Sequence, residues 1–186
     1  MKQEIKNSLA ILRLGKTILY PTDTVWGLGC DATNEKAVSR IFEIKNRNES
    51  KSLVILVDGI KMLKKHVSDI SKEVVEILNT SERPTTIIYN NPIGLAKNVI
   101  AKDNTVAIRI VKHDFCQKII AAMGHPLVST SANNSGMPTP NSFKEIDQSI
   151  LEAVDYVVNL QLEKITTIPS RIIKISNNGE IIVIRD

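Results

Sequence analysis

The sequence predicts an α/β fold: a single domain with a twisted mixed sheet flanked by helices. Helical and strand patterns alternate early in the chain, which is the signature of strands joined by crossover helices. The strand-like runs are aliphatic, as expected of strands covered on both faces. The last two runs are separated by Asn178-Gly179, a strong hairpin signal, so the sheet must also hold an antiparallel pair. With 186 residues, of which 42% are hydrophobic and 4% aromatic, the chain suffices for one aliphatic core spanning residues 1–186.

The elements read in order as follows. Ile5, Leu9 and Leu12 share one face of a helix over 3–14, and Gly15 stops it. Residues 17–20 read as a short strand ended by Pro21. Asn34 is a candidate N-cap for a helix through Lys45, with Ala37, Val38, Ile41, Phe42 and Ile44 as its buried stripe. Residues 53–57 form an uninterrupted apolar strand. Helical stretches follow at 60–66 and 71–78, strands at 85–89 and 105–111, a helix at 114–123 and a strand at 126–130. A helix over 145–151 precedes strands at 155–158, 171–175 and 181–185.

The formal charge of +4 suits an anionic partner such as a nucleotide or RNA, although many proteins without one carry the same excess. Cys30 and Cys116 are far apart and form no CxxC, and the three histidines show no ligand spacing, which argues against a disulfide framework and a zinc cluster. No long apolar run could span a bilayer and no leader pattern opens the chain, so a reduced, cytoplasmic setting is expected.

Three segments are unusually polar for their places beside apolar strands. In Tyr20-Pro-Thr-Asp-Thr-Val-Trp-Gly-Leu-Gly29, Thr22 and Thr24 offer hydroxyls and the glycines admit a close ligand; on local pattern alone, a plain turn in which Asp23 caps local N–H groups explains it slightly better. Lys45, Arg47 and Lys51 lie between a helix end and a buried strand. They could grip phosphates, or simply complement the helix dipole in water. From Val128 to Pro140, five hydroxyl residues, two asparagines and a glycine crowd together, a density that favours a polar pocket wall over a connection. The chain has no GxxxxGK[ST], no GxGxxG after a strand, and no GxSxG or HExxH, so a nucleotide here needs a different cradle.

Taken together, YPTDTVWGLG, KNRNESK and STSANNSG, in this order and spacing, resemble the YrdC-like threonylcarbamoyl-adenylate synthases over about residues 15–185. The resemblance implies a synthase that condenses L-threonine, bicarbonate and ATP to threonylcarbamoyl-adenylate and pyrophosphate. Magnesium would accompany the ATP without dedicated protein ligands. Threonylcarbamoyl-transfer proteins would then deliver the group to tRNA, with direct RNA contact left open. It implies ATP-binding roles for Lys45, Arg47, Lys51, Ser131, Asn133, Thr139 and Arg185, and threonine-binding roles for Thr22, Arg109, Ser129 and Ser170. No side chain is implied as a catalytic nucleophile or base.

The sequence departs from the family pattern at Ser52, where a proline is usual, at Arg83-Pro-Thr-Thr86, at Trp26 in place of tyrosine, and over 164–170. The length matches the short form, without the extra C-terminal domain of longer members. Two rivals stand beside the enzyme: an RNA-binding protein of the same fold without synthase activity, and a carbamoyl-transfer domain like that of hydrogenase-maturation proteins.

Overall fold

The computed structural model describes residues 1–47, 53–165, 168–176 and 180–186. Lys51, Ser52 and the Asn178-Gly179 turn lie outside the described residues. The first helix, α1 (Lys2–Arg13), ends where Gly15 takes a φ of 70° and donates its N–H to Leu12. That left-handed conformation is one a residue with a Cβ rarely adopts. β1 (Ile18–Tyr20) follows and is fully buried.

β2 (Gly27–Gly29) lies where sequence reading expected loop. It pairs antiparallel with β1, matching Ile18 to Gly29 and Tyr20 to Gly27. Gly-Leu-Gly has little strand propensity; tertiary pairing decides it. A side chain at Gly29 would collide with the Val128 carbonyl oxygen, so the glycine is what lets the backbones approach.

α2 (Glu35–Ile44) starts as expected: the Asn34 side chain accepts the Ala37 N–H at 3.1 Å, a cap worth about 1 kcal/mol. Its stripe of Ala37, Val38, Ile41, Phe42 and Ile44 is buried. Next come β3 (Val54–Val57), α3 (Ile60–His66) and α4 (Lys72–Thr80), the last capped by Ser71. β4 (Thr85–Asn90), β5 (Thr105–Ile110), α5 (Asp114–Met123) and β6 (Leu127–Ser131) continue the expected alternation.

The helix expected over 145–151 is instead a 3-10 turn at Phe143–Glu145 and then α6 (Gln148–Ala153). Asp147 causes the break: its carboxylate accepts the Ser149 N–H at 2.8 Å and caps the second helix. β7 (Tyr156–Val157), β8 (Arg171–Ile175) and β9 (Ile181–Arg185) complete the chain's elements.

Among the described residues the strands form one mixed sheet in the order β7-β1-β2-β6-β3-β5-β4-β8-β9. Central β3 runs parallel to β5 and antiparallel to β6, and Ile55, Leu56 and Val57 are sealed on both faces. This matches the expected flanked, mixed sheet. β9, an equally apolar run, sits at the edge with every residue exposed. No helix among the described residues is long and apolar enough to cross a membrane.

Candidate functional site

The end of α2 determines how the basic loop is presented. Asn46 adopts a left-handed φ of 48° and donates its N–H to Glu43, while the Arg47 N–H reaches Phe42. These two bonds are the Schellman pattern, with asparagine in the place usually given to glycine. Lys45 stands four residues after buried Ile41, so the helical period carries it inward.

It is 1% exposed, and its ammonium donates to the carbonyl oxygens of Ser131 and Asn133. Its own carbonyl accepts the Ser135 N–H at 2.8 Å. Lys45 thus bolts the polar segment after β6 to α2 from behind. Burial, and then the neighbouring charge of Arg47, lowers its pKa from 10.5 to about 7.

On the other side of that segment lies a cavity of about 170 Å³. Arg47 from the α2 turn, Arg109 from β5 and Arg185 from β9 converge on it. Thr24, Ser129, Thr130, Ser131, Thr139 and Ser170 line it with hydroxyls, and Trp26, Val54 and Pro169 supply its apolar wall. Trp26 is itself buried, tilted against Phe143 with ring centroids 5.0 Å apart.

Arg185 donates from Nε and Nη2 to the Ser170 carbonyl oxygen at 3.1 and 2.7 Å. The Ser170 hydroxyl in turn meets that of Thr86 at 2.8 Å, across from β4. Burial lowers the pKa of Arg47, and burial together with the charges of Arg109 and Arg83 lowers that of Arg185. Crowded, partly desolvated guanidiniums are stabilised by a bound anion.

Arg109 is 5% exposed in its side chain and pairs with Asp23 at 3.1 Å. The second oxygen of Asp23 accepts the Lys112 N–H at 2.9 Å. Asp23 therefore does not cap local N–H groups as expected of a plain turn: its carboxylate reaches across to the end of β5. The turn is held by Thr22, whose hydroxyl donates to the Val25 carbonyl at 2.7 Å and accepts the Thr24 N–H.

Of the residues singled out in the sequence, Arg47, Arg109, Ser129, Ser131, Thr139, Ser170 and Arg185 share this one cavity wall. Thr22 lies behind Thr24, and Lys45 lies behind Ser131. Asn133 faces an adjoining recess of about 220 Å³, where its amide donates to the carbonyls of Asn134 and Met137. Lys51 is outside the described residues. The folded chain adds Trp26 and Pro169 to the wall, sets Thr86 behind Ser170, and makes Asp23 the partner of Arg109. Among the described residues no cluster of His, Cys, Asp and Glu could hold a metal. Cys30 and Cys116 are both free and buried.

Comparison with known proteins gives a consistent result. The sequence model of the Sua5/yciO/yrdC family, described as "Telomere recombination", matches residues 10–186. A threonylcarbamoyl-AMP synthase of Pseudoalteromonas translucida is 35% identical over 180 residues, covering 95% of each chain. One of Xanthomonas euvesicatoria is 34% identical over 159 residues, covering 84% of this chain and 85% of its own.

The structure of P. abyssi Sua5 complexed with L-threonine superposes on the whole of this chain with a TM-score of 0.89 at 25% identity. The chain spans 54% of that protein's length. E. coli YciO, at 21% identity, shares the fold with a TM-score of 0.87 over 100% of this chain and 90% of its own.

Proposed function

The chain belongs to the Sua5/yciO/yrdC family, and from that premise we propose that it is an L-threonylcarbamoyladenylate synthase. The observation that carries this reading is the convergence of Arg47, Arg109 and Arg185 with six hydroxyl residues on one cavity. Such a site is built to hold several anionic reactants at once. Arg109 takes the threonine carboxylate, with Ser129 and Ser170 beside it and Thr22 bracing the loop that presents Thr24. Arg47 and Arg185 neutralise the ATP phosphates, aided by Ser131 and Thr139 and by Lys51 from outside the described residues. Lys45 and Asn133 shape the wall behind them.

The chemistry asks little of the protein beyond this. The threonine amine attacks the carbon of bicarbonate, and water leaves as the carbamate forms. A carbamate oxygen then attacks the α-phosphate, the bond to the β-phosphate breaks, and pyrophosphate departs. Rate enhancement comes from holding three reactants together and from fixed positive charge where negative charge moves. Magnesium enters as the ATP complex, as part of the substrate, because the lining is hydroxyl and guanidinium and the nearby Asp23 is held by Arg109. The product serves threonylcarbamoyl-transfer proteins that act on tRNA in the cytoplasm; any RNA contact of this chain would draw on the same three arginines at the cavity.

The deciding experiment is pyrophosphate release from ATP by purified protein, omitting threonine and bicarbonate in turn. Release that needs both supports the synthase; none from folded protein under any condition overturns it. Arg47→Ala is expected to cut kcat/KM for ATP by roughly 100-fold, the usual scale for losing one charge-stabilising donor. An unchanged value would remove Arg47 from the phosphates. Arg109→Lys keeps a charge opposite Asp23 but loses the fork, and should raise the threonine KM about tenfold with a smaller effect on ATP. Equal effects on both substrates would mean that the amino acid binds elsewhere.

A further inference from the structure

We infer that Asp23 is a positioning residue that dedicates Arg109 to the amino-acid substrate; this rests on the synthase reading above. Its carboxylate crosslinks two distant pieces of chain. One oxygen faces Arg109 Nη2 at 3.1 Å and the other accepts the Lys112 N–H at 2.9 Å. The two side chains are 8% and 5% exposed, so solvent screens the pair weakly. The connection between β1 and β2 is thereby locked onto the end of β5, and a long, flexible side chain is held in one place at the cavity wall.

The pair is also incomplete. Arg109 Nε is buried and has no hydrogen-bond partner among the described residues. A guanidinium carries five donors, and Asp23 alone leaves it under-satisfied. That Nε is sealed from the cavity, but Arg109 also lines the cavity wall, where a substrate carboxylate supplies the guanidinium with a further acceptor.

Asp23 further divides labour among the cavity's cations. It offsets most of the charge of Arg109, whereas Arg185 donates to neutral oxygens of Ser170. Polyphosphate is drawn to uncompensated charge, while a single carboxylate needs chiefly a fixed, directional fork. Neutralising Arg109 therefore keeps it from competing for the phosphates. Asp23 sets which substrate goes to which arginine without touching either one.

Asp23→Asn tests this, because it removes the charge and keeps an acceptor for Lys112. Threonine binding measured by calorimetry and the KM of each substrate are compared with the parent protein. The threonine Kd and KM are expected to rise about tenfold or more, as for coupled buried charges, with the ATP KM unchanged or lower. A parallel rise in both KM values would reduce Asp23 to a general structural brace, and unchanged threonine parameters would also overturn the inference. Should D23N fail to fold, D23E moves the charge by one methylene and is judged on the same split. A parent protein that neither binds threonine nor releases pyrophosphate defeats the synthase reading itself. A parent that does both, with D23N indistinguishable from it, defeats this inference alone.

Discussion

Replacing Lys45 with methionine is expected to destabilise the protein by about 2–4 kcal/mol near pH 9, because the Ser131 and Asn133 carbonyl oxygens lose their donor in a buried place. The loss should shrink toward acid pH. Burial lowers the Lys45 pKa from 10.5 to about 7, so between those values the unfolded chain holds a proton that the folded chain has released. Stability contributed by this site therefore rises with pH over that window, and below about 7 the buried ammonium is a liability. The methionine variant lacks both the liability and the rise.

Chemical denaturation of the two proteins at pH 6 and pH 9 checks the difference. A gap of equal size at both values would remove Lys45 as its source. A functional consequence accompanies the thermodynamic one. As pH climbs through 7, the positive charge behind Ser131 fades, so the ATP KM of the parent protein should rise, and this component should vanish in K45M.

The second large effect is expected at Gly29. Alanine there would drive its Cβ into the Val128 carbonyl oxygen and against the Tyr20 ring, both in the sealed centre of the sheet. Neither neighbour is a flexible surface group, so β2 must move away from β1 or β6. A cost of about 3 kcal/mol or more follows, which lowers Tm by roughly 10 °C in a chain of this size. Gly59→Ala is the matched control. Its backbone is extended, no described atom lies within 4 Å of the added carbon, and its stability should stay within about 1 kcal/mol of the parent, the scale of an N-cap change at the head of α3. A Gly29→Ala protein that melts with the parent would mean that the strands are not packed as described.

Where the sequence was readable, local chemistry and the sheet agreed. α5, β8 and β9 have the bounds that periodicity predicts, and Asn34 caps α2 through the side-chain bond expected of it. β2 escaped because its strand character comes from its neighbours, which a Gly-Leu-Gly stretch cannot announce. The candidate site was legible as three polar segments, but not the depth at which each residue sits.

Lys45 read as a phosphate-gripping or solvated helix-end cation; its place on the stripe of Ile41 and Ile44 was the overlooked signal of burial. Thr22 and Thr24 are indistinguishable in a string of letters. The turn that buries the first hydroxyl and presents the second depends on a carbonyl three residues on. The ion pair between Asp23 and Arg109 joins residues that are brought near only by the pairing of β2 with β6, β6 with β3 and β3 with β5, so no local pattern could foretell it.

The order of strands in the sheet has a kinetic consequence. The cavity draws on the β1–β2 connection, the α2 turn, β5, β6 and the β8–β9 pair, which are scattered along the sequence yet meet at one spot. Closing such distant loops is slow, and the β1–β2 hairpin, the one local pair described that lines the pocket early in the chain, supplies only Thr24 to Gly27 of it. Binding competence should therefore appear late in refolding, once all of these elements have docked. By mass action, substrates that occupy the pocket hold the entire sheet closed and do not steady one corner of it.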